Sequence, residues 1–291
     1  MRKGSLKKLR SDDDDNLSPQ RLYAKHRREG AKTGELRSPD AFSFGDDIVR
    51  SSGQPEALSQ TGQDLKIMHS NLIEKHKRTL HLSDFQRALI VGKLLGDGHL
   101  ETSDSGRTHR LKIEHSLKQK AYVDWLYDQF KAWVSQPPKI RVRRVLLPQG
   151  THATQQSYGF TTYAHGALRF YGGQFYNAKR KKIIPKLIGK LLTPTAIAIW
   201  YLDDGSFKSN RHRTFIIHTH GYERKELQRV QNVLMKLGIQ TSLHRQNRTT
   251  KTYWRIYISS DSADKFAETI RQIARHIPQM AYKLGNKEPK K

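Results

Sequence analysis

The sequence predicts an α/β (α+β) protein made of two halves that repeat one order of elements, α-β-β-α-β-β-α. Two helices with almost wholly apolar sequences end in acid-glycine steps, at Asp97-Gly98 and at Asp203-Asp204-Gly205. The same succession of strand and helix patterns follows each of these helices, which indicates an internal duplication. We therefore expect a pseudo-two-fold molecule with antiparallel sheets, in which the two apolar helices pair at the centre.

The first half begins with a capping box, in which Ser83 is the N-cap and Gln86 is the third helical residue. The helix is predicted to run from Asp84 to about Gly96. The elements that follow are predicted as strands at about His99–Thr102 and Arg110–His115, a helix over Leu117–Val134 that Pro137-Pro138 stops, strands at Lys139–Leu147 and Gln156–Thr162, and a helix near His165–Tyr176.

The second half begins where Thr193 caps a helix that has Pro194 at its first position. Side-chain identity between the halves is slight, so the predicted repeat is one of architecture. The elements are predicted as a helix over Thr195–Leu202, strands at about Ser206–Lys208 and Thr214–His218, a helix over Glu223–Leu237, strands at Gln240–Gln246 and Thr252–Ser259, and a helix over Ser262–Ile277.

Composition divides the chain near residue 65. Residues 1–65 hold 12 Lys and Arg against 11 Asp and Glu, whereas the remainder holds 41 against 16. Only 17 of the residues 1–65 are apolar, and so little apolar surface cannot offset the ordering entropy, so we expect residues 1–65 to form a disordered extension. The remaining divisions are predicted as a first half over 66–188, a second half over 189–286 and a basic tail over 287–291.

The charge and the absence of cysteine exclude several classes of protein. The 291 residues carry a formal net charge of +26 and contain no cysteine. Disulfides, thiolate metal sites and a thiol nucleophile are therefore excluded. Nearly all of the charge belongs to the predicted folded part, which favours a polyanionic partner whose counterions are released on binding.

No segment predicts a membrane span or a secretory signal. The apolar runs fall far short of the roughly 20 residues that a spanning helix needs. The basic start, Met1–Arg10, is followed by the acidic run Asp12–Asp15 instead of an apolar core. We expect a soluble, intracellular protein of the cytoplasm, the nucleoid or an organelle matrix that is not secreted.

Asp97 and Asp204 are the predicted catalytic acids. A helix that is apolar on all sides is buried, and two such helices at equivalent points of a duplicated fold should pack together. Their carboxyl ends would then bring both acids to one edge of the core, where hard oxygen ligands suit Mg²⁺. A single Asp-Gly pair is ordinarily a turn or a helix stop, but the duplicated placement favours a shared metal site.

The strands alternate in a way that predicts a nucleic-acid-binding face. Around Arg141, apolar residues such as Ile140 and Val142 are expected to point towards the core and basic residues away from it. The alternative is an ordinary solvated sheet face, which the paired acids and the charge disfavour. His218 and His220 have metal-ligand spacing but are more typical of surface or core histidines. The predicted DNA contacts are Arg110, Lys112, Lys139, Arg141, Arg143, Arg213, Tyr253, Arg255 and Tyr257.

Two segments, Ile90–Gly98 and Ile197–Gly205, resemble the motif for which the LAGLIDADG homing endonucleases are named. Further segments are similar to the single-chain, two-motif branch of that family, and the resemblance covers about Leu82 to Leu284. The fold that it implies has saddle-shaped antiparallel sheets and a central pair of motif helices. The further segments are Lys120–Asp124, Leu192–Pro194 and Ile277–Leu284.

The resemblance also implies roles for particular residues. Asp97 and Asp204 would bind the divalent metal, Mg²⁺ or Mn²⁺, with help from the backbone carbonyls of Gly96 and Asp203. Lys182 and Lys283 match the basic residues that lie near the scissile phosphates. The alternative for Lys182 is membership of a solvated run, Lys179–Lys182.

The function that the resemblance implies is site-specific cleavage of double-stranded DNA by a monomer, leaving staggered ends at a long recognition site, in the service of intron homing. One alternative is an RNA maturase that assists splicing of its host intron RNA. Another is a non-catalytic DNA-binding protein on the same fold. Two departures from the motif, Lys93 and Ile199, are expected to loosen the packing of the motif helices.

Overall fold

The computed structural model describes residues 70–147, 149–208, 212, 214–248 and 251–285, the side chains of Arg248 and Lys251 excepted. All of these residues belong to one unit that spans Gln60–Lys291. The predicted extension 1–65, the predicted tail 287–291 and the predicted DNA contact Arg213 lie outside the described residues. The described part opens with a helical segment over 70–79.

The first half follows the predicted order of elements. Ser83 forms the capping box with Gln86, and Gly96 ends the first helix. The elements are α1 (Asp84–Leu95), β1 (His99–Glu101), β2 (Arg110–Ser116), α2 (Lys120–Phe130), β3 (Lys139–Leu146), β4 (His152–Thr161) and α3 (Arg169–Phe175). Short 3₁₀ turns flank α2 and precede α3.

The second half repeats that order after a short linking helix. Thr193 caps the motif helix through its side chain, as predicted. The elements are α4 (Ile188–Leu191), α5 (Pro194–Asp204), β5 (Gly205–Phe207), β6 (Phe215–His218), α6 (Arg224–Lys236), β7 (Thr241–Arg248), β8 (Lys251–Ile258) and α7 (Ala263–Ala274), with a final 3₁₀ segment over Pro278–Leu284.

The two sheets have the same topology, which confirms the duplicated fold. Their strand orders are β1-β2-β4-β3 and β5-β6-β8-β7, and every neighbouring pair is antiparallel. β1 begins at His99, three residues after the Gly96 cap of α1, and β5 begins at Gly205, directly after α5. The carboxyl ends of the motif helices therefore lie where the two sheets begin.

The central helices α1 and α5 pack closely, against the expectation that Ile199 and Lys93 would loosen them. Gly92 faces Ile199 so closely that a Cβ on Gly92 would lie 2.6 Å from the Ile199 Cβ and 2.6 Å from the Ala196 carbonyl oxygen. The glycine of one helix thus makes room for the branched side chain of the other. Lys93 is fully buried and is paired with an acid of the opposite helix.

The predicted burial of one sheet face was wrong for β3. Ile140 and Val142 were expected to face the core, yet they are 52% and 62% exposed. Leu111 and Ile113 of β2, which lies two strands away with β4 between, are fully buried on the same face. β3 is the outer edge strand of its sheet, and Ile140 stays exposed although Tyr158, its partner on β4, is buried. Among the described residues, no helix is both long and apolar enough to span a membrane.

Candidate metal centre and nucleic-acid interface

The carboxyl ends of α1 and α5 meet, as the duplicated acid-glycine steps predicted. The backbone N–H of Asp97 donates a hydrogen bond of 2.9 Å to Oδ2 of Asp203. A Cβ on Gly96 would lie 2.4 Å from the same Oδ2, so only glycine permits this approach. Asp203 and Asp204 are both buried in the last turn of α5, which runs two residues further than predicted. Asp97 and Asp204 are thereby brought to one edge of the molecule.

Lys182 and Lys283 occupy equivalent places beside the two motif ends. The ammonium of Lys182 lies 2.6 Å from the carbonyl oxygen of Gly96, which precedes Asp97. The ammonium of Lys283 lies 3.4 Å from the carbonyl oxygen of Asp203, which precedes Asp204, and 2.6 Å from that of Gly205. Each half therefore contributes one acid and one lysine to the same edge.

Lys283 is held in a buried position. The hydroxyl of Tyr201 donates to the backbone carbonyl of Lys283 at 2.6 Å and fixes the 3₁₀ segment against α5. Burial lowers the pKa of Lys283, and the opposing attraction of Asp204, Asp97 and Asp203 only partly compensates. A lysine with a lowered pKa gives up a proton more readily than an exposed one, as a group that orients or activates water requires.

A second buried network, which the sequence analysis missed, surrounds the side chain of Asp203. Lys93 Nζ lies 2.8 Å from both carboxylate oxygens, and the Tyr122 hydroxyl donates to Oδ1 at 3.0 Å. The side chains of Lys93 and Asp203 are fully buried. The signal was a lysine inside an apolar helix, because a buried ammonium requires an acid as its partner.

His115 of β2 completes this network in its neutral form. Burial, followed by the neighbouring Lys93 ammonium, lowers the pKa of His115. A neutral imidazole accepts from Lys93 at Nε2, 2.6 Å away, and its Nδ1–H then faces the Gln119 oxygen at 3.0 Å. Nδ1 also lies 3.7 Å from Oδ2 of Asp97. His115 therefore links the buried pair to the first motif acid.

The chemistry of these donors fits a divalent cation. Asp97, His115 and Asp203 each offer a ligand atom, and the three atoms lie within 4.8 Å of one another. Asp203 and His115 already contact the Lys93 ammonium, and the carboxylates of Asp97 and Asp204 are the other acidic oxygen donors at the two motif ends. The carbonyl oxygens of Gly96 and Asp203 beside them accept from the ammonium groups of Lys182 and Lys283, so the backbone oxygens of this edge face cations. Hard oxygen ligands of this kind suit Mg²⁺, Mn²⁺ or Ca²⁺.

The predicted basic residues of the first half share one face of its sheet. Directly paired residues lie on the same face, and Arg141 pairs with Ser157 while Lys112 pairs with Thr161. Two acids lie among these cations: Glu101 contacts Arg110 at 2.9 Å, and Glu114 lies further along β2. The face comprises Arg110, Lys112, Lys139, Arg141 and Arg143 together with Glu101, Glu114 and Ser157.

The matching face of the second half is aromatic and histidine-rich. Arg255 pairs with His218 and His244 on its two sides, and Tyr253 and Tyr257 lie on the same face. The rings of His244 and Tyr257 stack at 3.9 Å between centroids. The half-buried His220 accepts from Arg255 Nε at 3.1 Å.

His218 and His220 are thus partly buried sheet-face residues. Among the described residues they belong to no cluster of three metal-ligating groups.

The chain belongs to the LAGLIDADG DNA endonuclease family, whose sequence profile matches residues 87–266. That stretch contains both motif helices, the two sheets and most of the residues described above. Membership places the protein among DNA-hydrolysing enzymes and agrees with the paired acids at the motif ends.

Two relatives and one solved structure are similar over most of the chain. DNA endonuclease I-ChuI of Chlamydomonas applanata is 29% identical over 218 residues, which is 72% of this chain and 99% of the relative. Cytochrome b mRNA maturase bI2 of Saccharomyces cerevisiae is 28% identical over 208 residues, 68% of this chain and 47% of the relative. The structure of the homing endonuclease I-WcaI bound to its DNA recognition sequence matches with a TM-score of 0.60 and 25% identity, over 73% of this chain and 92% of that one.

Proposed function

We propose that the protein is a site-specific endonuclease that cuts both strands of a long double-stranded DNA site and leaves staggered ends. The observation that carries this proposal is the shared edge at which each motif helix delivers one acid and each half adds one lysine. A single active centre between two sheet faces can reach one scissile phosphate on each strand. The likeness to I-WcaI, whose structure holds its DNA recognition sequence, supports a DNA target.

Metal binding and stabilisation of phosphate charge would be carried out by different residues of this chain. Asp97 and Asp204 would hold divalent metal with the carbonyls of Gly96 and Asp203, and such metal activates water and stabilises the leaving oxygen of an in-line displacement. Lys182 and Lys283 lie beside those carbonyls, where an ammonium stabilises charge on phosphate oxygens. The lowered pKa of Lys283 also suits it to orient the attacking water.

The sheet faces would supply affinity and specificity. Antiparallel strands enter the major groove, where arginine reads guanine through two parallel hydrogen bonds. The predicted contacts of the first half and Tyr253, Arg255 and Tyr257 of the second half share these faces. The protein would act as a monomer, because one chain already contains both halves, and within the cell, where intron homing takes place.

An RNA maturase remains the second candidate, because the maturase bI2 is similar over 68% of this chain. The positive charge would serve RNA as well as DNA. The paired acids favour cleavage, since an RNA folding factor does not need two carboxylates beside two lysines. A non-catalytic DNA-binding protein on the same fold is disfavoured for the same reason.

Replacing either motif acid tests the proposal. Duplex DNA that spans the uninterrupted host-gene sequence should be cut in Mg²⁺ and left intact with chelator. Asp97→Asn and Asp204→Asn should each reduce double-strand cleavage by more than about a hundredfold, because a metal ligand matters more than its supporting groups, while binding survives. Asp128→Asn changes the same charge on the exposed side of α2 and should cut normally. Cleavage that survives both motif substitutions would contradict the proposal.

A salt titration tests the basic faces. Binding to the same duplex in chelator should weaken by roughly 10³–10⁵ between 50 and 200 mM salt if six to ten phosphates are contacted. A fluorescence anisotropy titration gives the slope. A flat salt dependence would contradict the assignment of the two faces to DNA.

A further inference from the structure

We propose that Glu114 is a specificity-determining positioning residue, which presets Arg141 and Arg143 for reading bases through the first half of the molecule. This inference rests on the proposed DNA-binding function. It assigns a role to a carboxylate that lies in the middle of a basic face, where a negative charge is otherwise unfavourable.

Glu114 is the centre of a hydrogen-bonded cluster on that face. Its Oε2 accepts from Arg141 Nη1 at 2.6 Å, and Arg143 Nη2 lies 3.1 Å from Oε1. The hydroxyl of Ser157 donates to Oε1 at 2.6 Å. One carboxylate therefore fixes two guanidinium groups and is itself held by a third residue.

The arrangement of the strands allows the Glu114 carboxylate to contact arginines that are not on the neighbouring strand. Glu114 is on β2 and the arginines are on β3, with β4 between them. The residue of β4 opposite Glu114 is Gly159, and a Cβ there would lie 2.8 Å from the Glu114 Cα and 3.1 Å from its Cβ. The missing side chain lets the carboxylate cross the intervening strand and contact the strand beyond it.

Glu114 is more deeply buried than the two arginines that it contacts. The side chain of Glu114 is 7% exposed, whereas those of Arg141 and Arg143 are 27% and 39% exposed. The arginines therefore keep accessible donors after pairing with the acid. A guanidinium with a fixed plane loses less freedom when it binds a guanine edge through two hydrogen bonds, so the cluster favours base reading.

Charge argues that this role concerns specificity more than affinity. A carboxylate within a basic face lowers the attraction for every duplex, whatever its sequence. Any benefit of Glu114 to DNA binding must therefore come from the orientation of the arginines, which matters only where base edges are read. The equivalent residue of the second half, by its pairing with β8, is His218, so no carboxylate occupies that place there.

Selection from a randomised duplex pool in chelator tests the inference. Wild-type protein should enrich a site with preferences in both half-sites. Glu114→Gln should bind unselected duplex about two- to fivefold more tightly, because one negative charge is removed. The preference for the enriched bases under the first half should fall by roughly ten- to a hundredfold, while the other half-site is unchanged and reports that the variant is folded.

Glu101→Gln is the charge-matched control. Glu101 contacts Arg110 and Lys112 on the same face but contacts neither Arg141 nor Arg143. It should raise the affinity for unselected duplex by a similar factor and leave the preferences lost in Glu114→Gln intact. Ser157→Ala removes only the hydroxyl that holds the carboxylate, and it should weaken the same preferences to a lesser degree.

The outcomes separate this inference from the proposed function. A wild-type protein that enriches no sequence would overturn the proposed function, and this inference with it. A wild-type consensus that Glu114→Gln reproduces at full strength would overturn the inference alone. If Glu114→Gln loses the base preferences in both half-sites, Ser157→Ala is the deciding variant. Unchanged first-half preferences in Ser157→Ala would overturn the positioning role of Glu114.

Discussion

The two halves share a topology but use different residues at equivalent positions of their motif helices. An offset of 107 residues, the separation of Asp97 and Asp204, matches Gly92 with Ile199, Lys93 with Trp200 and Gly96 with Asp203. Gly92 contacts Ile199 and Gly96 contacts Asp203. In each pair, a glycine within α1 or at its end faces a larger residue of α5. A pseudo-symmetric helix interface can thus be close without small residues on both sides, provided that each large residue faces a glycine.

The sheet faces differ in the same way. In the first half, carboxylates lie among the arginines and hold them in fixed orientations. In the second half, histidines and tyrosines surround Arg255, and ring stacking replaces ion pairing. The shared backbone therefore constrains where side chains point, while each half uses its own chemistry to order them. Substitutions at equivalent positions should have unequal consequences.

The largest loss of stability is expected from breaking the buried ion pair between Lys93 and Asp203. Of the two motif helices, only the first contains a lysine. Lys93→Met should cost about 3–5 kcal/mol of unfolding free energy, because the Asp203 carboxylate would stay buried without its cation. The double variant Lys93→Met/Asp203→Asn should recover much of that loss, since it removes both charges. Urea denaturation followed by circular dichroism measures wild type, Lys93→Met, Asp203→Asn and the double variant.

Lys120→Met is the matched control for that prediction. Lys120 pairs with Asp124 on the exposed side of α2. Its replacement should change the unfolding free energy by at most about 0.5 kcal/mol, as exposed pairs contribute little. Losses that simply add in the double variant would show that Lys93 and Asp203 are not coupled.

A smaller effect is expected where glycine faces a large residue. Gly92→Ala should lower the unfolding free energy by roughly 1–3 kcal/mol, because the new methyl meets a backbone carbonyl that cannot turn away. Gly173→Ala lies in α3 with open space around its Cβ and should be neutral or stabilising by up to about 1 kcal/mol. Thermal unfolding of the two variants is sufficient. Equal changes in unfolding free energy for Gly92→Ala and Gly173→Ala would mean that the motif helices are less closely packed than described.

The elements and the paired acids could be predicted because their signals are local. The capping box at Ser83, the Thr193-Pro194 start and the repeated acid-glycine steps each depend on a few adjacent residues. Strand alternation likewise predicted that Arg141 and Arg143 share a face, which the register bears out. Membership of a known family then supplied the expected positions of the two lysines.

The remaining features depend on contacts between residues far apart in the chain. Lys93 and Asp203 are 110 residues apart, and no local pattern indicates which acid a buried lysine will meet. The exposure of Ile140 follows from the place of β3 at the outer edge of its sheet, which the alternation of residues cannot indicate. Alternation along β2 likewise does not indicate that Glu114 contacts the arginines of β3, because that contact depends on Gly159 of the strand between them.

The smallest expected effect concerns pH and tests the carboxylates of the first face. Burial acts to raise the pKa of Glu114, but the Ser157 hydrogen bond and the charges of Arg143 and Arg141 outweigh it, so the pKa lies below its ordinary value of 4.5. Near and below pH 4.5 the unfolded chain therefore binds more protons at this residue than the folded protein does. The stabilisation from Glu114 is complete above that pH and decreases as the pH falls through the lowered pKa.

Glu114→Gln cannot titrate and lacks this contribution at every pH. The difference in unfolding free energy between wild type and Glu114→Gln should accordingly shrink as the pH falls from 6 to about 3. Denaturation curves for both proteins across that range measure the difference directly. A difference for Glu114→Gln that is constant across the range would mean that the acid's pairing with the arginines does not depend on its charge, and the contrast between the two faces would then be one of shape alone.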